Sequence, residues 1–271
     1  MKKLAFCFLI YDVINHEELW RRFFDGVDPE KFTIYIHYKY QKPLKFFESY
    51  KLPPNECIET KYENETIPLA YNVLLRKAFL TDDDNYKFIM VSGSCVPLKS
   101  FDSIYDFLTK THHGYFNICP QSQCFPNCNV LLEKGHVDYK HISKSHNWFI
   151  LNRVLVENLC FDKDDILRTQ YKTIYAPAEY FYMTYIKILG LENEVKTTDN
   201  RSNEATTFTN WKGMDYKYPC QRSLKNYGFI SEEEIVYLLN SPCLFGRKFN
   251  RECITSFICS TYLDAITSKA M

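Results

Sequence analysis

Short apolar runs and amphipathic stretches alternate along the first hundred residues. Residues 3–11 read as a strand, His16 to Val27 (HEELWRRFFDGV) as an amphipathic helix ended near Gly26, and Phe32 to Tyr38 (FTIYIHY) as a second strand. Cys57 to Thr60 suggests a third. Leu69 to Leu80 (LAYNVLLRKAFL) has apolar residues at helical spacing, and Lys87 to Gly93 (KFIMVSG) is an apolar run bounded by turn residues, which marks a central strand. This order predicts an α/β fold with a mainly parallel sheet flanked by helices. Such sheets bind ligands beyond the carboxyl ends of their strands.

Further on, Phe101 to Lys110 reads as a short helix, while Thr111 to Ser145 shows no clear period and is expected to be loops with a strand or two. His146 to Cys160 starts extended and turns helical at about Asn152. Ala178 to Leu189 is another helix, with Pro177 suitably placed for its first turn. Ser231 to Ser241 opens with a Ser-x-x-Glu capping box and continues as a helix. No internal repeat, low-complexity segment or Gly/Ser linker divides the chain, so one domain is the simplest organisation.

Composition narrows the function classes. With 271 residues and 46% hydrophobic content the chain can bury a real core. Lys+Arg and Asp+Glu both number 33, so no net field draws the whole chain onto nucleic acid or an anionic membrane, and any anion site must be local. The 21 Tyr, 21 Phe and three Trp suit sugar stacking, but they suit an ordinary core better. The start MKKLAFCFLIYDV imitates a signal peptide, yet Asp12 follows at once without a small-residue cleavage site, so a buried first strand is expected. Eleven scattered cysteines suggest reduced thiols in the cytoplasm, where the sequons at Asn64 and Asn200 would stay bare. Cys119, Cys124 and Cys128, near His112, His113 and His136, include zinc-type ligands, but their spacing is not a matched pair of Cys-x-x-Cys motifs, and ordinary loop thiols are the default.

Four blocks occur in order: SGSCVPLKSFDSIYDFL (92–108), SKSHNWFILNRVLVENL (143–159), YAPAEYFYMTYIKIL (175–189) and SPCLFGRKFNREC (241–253). Together they resemble the core-2/I-branching N-acetylglucosaminyltransferase family, notably its plant-type branch. The resemblance implies a GT-A-like fold over residues 1–253, with 254–271 a tail of unassigned role. It implies inverting transfer of a sugar from a UDP donor to an acceptor hydroxyl without a metal.

Inverting transfer is one in-line displacement, so it needs a base for the acceptor proton and positive charge for the departing diphosphate. Most GT-A enzymes hold a metal on a carboxylate pair just beyond the central strand; here SGSC follows KFIMV, and Asp82, Asp83 and Asp84 stand at the strand's other end. The triple aspartate therefore reads as a solvated turn. In place of a metal, the resemblance puts Arg222, in CQRSLKNYG, and Lys248, in LFGRKFN, on the phosphates.

The same resemblance makes Glu179, in APAEYFY, the catalytic base, with Ala178 replacing the family's first acid. A glutamate in a first turn also simply suits the helix dipole. Trp148 and Trp211 fall in blocks bordering the family's acceptor site, Ser145 and His146 in a turn edging the donor pocket, and His37 where the family contacts the nucleoside. Gly213 and Lys39 depart from the family pattern, so acceptor choice and uridine recognition do not carry over.

The leading expectation is a cytoplasmic, metal-independent transferase using UDP-N-acetylglucosamine first and UDP-xylose second, on a glycan, protein or lipid acceptor, with no cofactor, nucleic acid or membrane span. Two alternatives share the fold: a transferase that binds metal at Asp82–Asp84, and an inactive sugar- or protein-binding module.

Overall fold

The computed structural model describes residues 1–120, 124, 129–133, 137–199, 207–210 and 226–267. The first half lays down β1 (Lys3–Ile10), α1 (Glu17–Phe24), β2 (Phe32–Tyr38), α2 (Thr66–Thr81), β3 (Asn85–Ser92), β4 (Val96–Pro97), α3 (Phe101–Thr109) and β5 (Gly114–Ile118). After the short α4 (Asn129–Glu133) come β6 (Ile150–Asn152), α5 (Arg153–Cys160), α6 (Asp164–Thr169), α7 (Ala178–Ile188), β7 (Val195–Asp199) and β8 (Thr207–Thr209). Then follow α8 (Glu232–Asn240), β9 (Phe245–Arg247), α9 (Ile254–Phe257) and α10 (Ser260–Thr267).

Six strands form one sheet in the order β2-β1-β3-β6-β5-β7. β1 pairs in parallel with β2 and β3, β5 with β7, and the short β6 runs antiparallel between β3 and β5. The period-two alternation of β1 explains how both faces are covered. Leu4, Phe6 and Phe8 join Trp20 and Phe23 of α1 and Phe101, Ile104 and Leu108 of α3 in one core. Ala5 and Cys7 join Leu74, Leu75 and Ala78 of α2 and Leu155 and Leu159 of α5 in the other. Much of the aromatic content serves this packing: the Phe6 ring lies 5.0 Å from Phe24 and 6.1 Å from Trp20, both edge to face.

A second sheet, β4-β9-β8, nucleates a third core that includes Phe208, Phe249, Ile235 and Leu238. Residues 254–267 pack into it through Phe257, Tyr262 and Ile266, and the Tyr262 hydroxyl donates to the Pro97 carbonyl at 2.7 Å. At α8 the capping box forms in both directions between Ser231 and Glu234.

Cys57 to Thr60 does not form the expected strand. The Ile58 N–H goes to the His37 imidazole at 2.9 Å and the Lys61 N–H to the Thr66 hydroxyl at 2.8 Å, so side chains take the bonds that a ladder would need. The edge of β2 is met earlier, by a single bridge from Ile36 to Lys51. Between Thr111 and Ser145 the regular elements among the described residues are the strand β5, the helix α4 and a 3-10 turn at Tyr139–His141.

Asp82, Asp83 and Asp84 form the turn between α2 and the amino end of β3. Asp82 pairs with Lys3 at 3.0 Å and accepts the Asp84 N–H at 2.9 Å. Asp84 meets the terminal amine of Met1 at 3.0 Å, and the exposed Asp83 meets Arg153 at 3.4 Å.

Candidate active site

A cleft of about 420 Å³ opens where the first strands end. It is floored by Ile10 to Val13 after β1 and by Ser92 to Ser94 at the end of β3. Because β2 and β3 lie on opposite sides of β1 and their crossover helices cover opposite faces, this is a topological switch point of the sheet. Gly93 makes the approach there: a Cβ would run into the Val13 carbonyl oxygen, and the Asn15 N–H instead reaches the Gly93 carbonyl at 2.7 Å. The segment 60–67, the start of α7, Asn147, Trp148, Arg247 and Lys248 complete the walls.

Glu179 stands in the first turn of α7, which Pro177 leads into, and lines the cleft. Just before it, Ala176 takes a left-handed backbone (φ +51°) and donates its N–H to the carbonyl of Glu63, itself at φ +54°, at 3.3 Å. Two non-glycine residues held in this sparsely populated region are a local strain, and such strain collects at functional sites. The Glu179 carboxylate contacts Lys144 Nζ through Oε2 at 3.1 Å. Burial pushes its pKa up against the pull of Lys144 and Arg247, and the net displacement is upward.

Arg247 ends β9 with its guanidinium carbon 4.2 Å from the ring centroid of the buried Trp148. Its Nε is buried without a hydrogen-bond partner. The Phe249 N–H donates to the Ser94 carbonyl at 3.1 Å and the Tyr227 N–H to the Lys248 carbonyl at 2.7 Å, which fixes this segment beside the end of β3. Burial lowers the pKa of Arg247, and burial and the neighbouring Arg247 lower that of Lys248. Neither cation has a carboxylate partner among the described residues. Two of the cleft's acids meet other cations: Glu179 meets Lys144, and Asp12 holds Lys42 at 2.6 Å and Arg251 at 3.2 Å. A half-buried cation without a counterion is costly, so this wall is suited to an anionic ligand.

The structure thus gathers Glu179, Lys248 and Trp148 around one space and adds Arg247 to its lining and Lys144 as the partner of Glu179, neither of which the sequence singled out. Arg247 stands beside Lys248 in the same motif, but its stacking on Trp148 joins two distant blocks and leaves no local signal. Ser145 and His146 lie behind the wall. The Ser145 N–H donates to the Glu179 carbonyl at 2.7 Å, and His146 Nδ1 lies 3.2 Å from the Asn117 amide and 3.3 Å from the Thr209 hydroxyl. Burial drives the His146 pKa down to about 4, so its ring is neutral near pH 7. His37 is fully buried in β2, spends Nε2 on the Ile58 N–H, and is also lowered to about 4 by burial. Arg222 and Trp211 lie outside the described residues.

Among the described residues no three His, Cys, Asp or Glu side chains are grouped as a metal site requires. His112 and His113 precede β5 and Cys119 follows it. That five-residue strand spans roughly 16 Å, too far for one ion. Cys128 and His136 lie outside the described residues. All nine described cysteines are free, and no described helix is long and apolar enough to cross a membrane.

A curated relative, "Glycosyltransferase BC10" from Oryza sativa subsp. japonica, is 31% identical over 120 residues, a match covering 42% of this chain and 29% of the rice protein. A family model described as "Branch: Core-2/I-Branching enzyme" matches residues 4–236, from β1 into α8, with the Arg247–Lys248 wall lying beyond its end. That match takes in well over half of the chain, and the protein therefore belongs to the core-2/I-branching enzyme family.

Proposed function

We propose that the protein is an inverting, metal-independent glycosyltransferase that moves a sugar from a UDP donor to an acceptor hydroxyl, with N-acetylglucosamine the first candidate and xylose the second. The observation that carries this reading is the pairing, in one cleft at the switch point, of a partly buried carboxylate with two cations that have no carboxylate partner among the described residues. Glu179 takes the proton of the acceptor hydroxyl as its oxygen attacks the anomeric carbon. The bond to the diphosphate oxygen breaks on the opposite face, so the configuration inverts.

The electron pair leaves with UDP, and Arg247 and Lys248 meet the growing charge, joined by Arg222 as the family resemblance implies. Fixed guanidinium and ammonium groups in a water-poor cleft supply what a divalent ion otherwise would. The raised pKa of Glu179 suits a base working near neutral pH. Trp148, its ring covered by Arg247, keeps that cation aimed at the cleft. Buried free thiols are in keeping with a reducing, cytoplasmic setting.

A panel of UDP-sugars, assayed for hydrolysis and transfer with and without EDTA, tests this reading. Turnover of one donor that persists in chelator is expected. Turnover abolished by EDTA and restored by manganese would transfer the phosphate-binding role to a metal. Binding without turnover of any donor would favour the sugar- or protein-binding module.

A further inference from the structure

We propose that Lys144 is a positioning residue for this reaction, holding the Glu179 carboxylate by Oε2 so that Oε1 is left for the acceptor hydroxyl; this rests on Glu179 being the base. Ala178, immediately before Glu179, brings no polar side chain to the carboxylate. The segment ahead of β6 holds it.

Three successive residues of that segment grip α7 between Glu179 and Thr184. Ser143 exchanges hydrogen bonds with the Thr184 hydroxyl at 3.1 and 3.2 Å, Lys144 Nζ meets Glu179 Oε2 at 3.1 Å, and the Ser145 N–H donates to the Glu179 carbonyl at 2.7 Å. The Lys144 carbonyl in turn accepts the Cys119 N–H at 2.8 Å, which ties the segment to the end of β5. Glu179 is therefore fixed through its backbone and its side chain by adjacent residues. Among the described residues, no second donor meets the carboxylate.

The charged groups facing Glu179 come from three directions. Lys144 lies in contact, Arg247 approaches from β9, and Glu63 approaches from the loop before α2; the phenols of Tyr62, Tyr71 of α2 and Tyr175 and the thiol of Cys119 are also within its field. Burial and Glu63 favour the protonated acid, while Lys144 and Arg247 favour the carboxylate. Lys144 itself stays charged: burial pulls its pKa down, but Glu179 and Tyr180 outweigh that and raise it. Removing the ammonium leaves burial and Glu63 opposed by Arg247 alone, so the carboxyl would hold its proton to higher pH and the base would be idle over more of the neutral range.

The test is a carboxyl-carbon NMR titration of Glu179, assigned with Glu179→Gln, in the wild-type chain and in Lys144→Met, beside the pH profile of UDP-sugar turnover. In Lys144→Met the Glu179 midpoint and the acid limb of the profile should both rise, by roughly 1–2 pH units. UDP affinity should stay at its wild-type value, and Lys144→Arg should return the limb towards wild type. Should Lys144→Met fold poorly, Lys144→Gln keeps a polar head of similar reach without the charge and should show the same rise. An unmoved Glu179 midpoint in the charge-free variants overturns the proposal. A moved midpoint with a pH profile that ignores it overturns instead the assignment of Glu179 as base, so the two failures are distinct.

Discussion

At the amino end of β3, Asp82, Asp83 and Asp84 each meet a cation, whereas at its carboxyl end Arg247 and Lys248 face a cleft with no carboxylate partner among the described residues. Roughly 25 Å of strand separates the two. Both ends are rich in charge, but they differ in whether the charge is already satisfied. Paired surface ions hold a turn together and add little stability. Unpaired, half-buried cations are retained at a cost, and a ligand that brings the missing negative charge accounts for them. On the proposed reading, acid-rich sequence points away from the cleft, and the balance of partners points to it.

The largest expected effect belongs to the cleft's carboxylate. Glu179→Gln nearly preserves shape and removes the base, so turnover should fall by on the order of 10²–10⁴ while UDP affinity is kept. Transfer within a few-fold of wild type in that variant would show that proton removal is done elsewhere. The next effect concerns the cations. Arg247→Ala and Lys248→Ala should each weaken UDP binding measured by calorimetry and also slow single-turnover transfer, each by about 10–100-fold, because charge on the leaving oxygen grows as the bond breaks. Together they should cost less than the sum, since they share one diphosphate. Wild-type UDP affinity in both single variants would break the comparison at its stronger end.

Local pattern made one half of this site legible and distance in sequence hid the other. The central strand, its flanking helices and the Ser231 capping box follow from period and cap chemistry, and so does the helix that Pro177 leads into, while Glu179 within it was singled out by the family resemblance. β6 is three residues long, too short to carry a period, so its antiparallel place between β3 and β5 was hidden. Cys57 to Thr60 has strand-like residues, but its backbone bonds go to His37 and its neighbours, a tertiary choice that overrides propensity. The role of Lys144 depends on an ion pair with α7, and that of Arg247 on stacking against a tryptophan from another block. Neither contact leaves a mark within its own segment.

The smallest expected effect is at the acidic turn, and it sharpens the comparison by being small. Asp82 is pulled two ways: burial favours its protonated form, but Lys3, the Asp84 N–H and Arg153 outweigh that and lower its pKa. A carboxyl lowered on folding stabilises the protein above its unfolded value of about 3.9, and that contribution is lost as pH falls through the folded value. Wild type and Asp82→Asn should thus differ in unfolding free energy by at most ~1 kcal/mol from neutral pH down to about 5, since solvent screens the pair with Lys3. Below that the difference should close. UDP affinity and turnover should match wild type throughout, because the turn lies a full strand away from the cleft. Denaturant melts across the acid range, run beside a transfer assay, check both parts. If Asp82→Asn instead kept its stability and lost a hundredfold in turnover, the triple aspartate would be part of the reaction, and the difference between the two ends of β3 would have been misread.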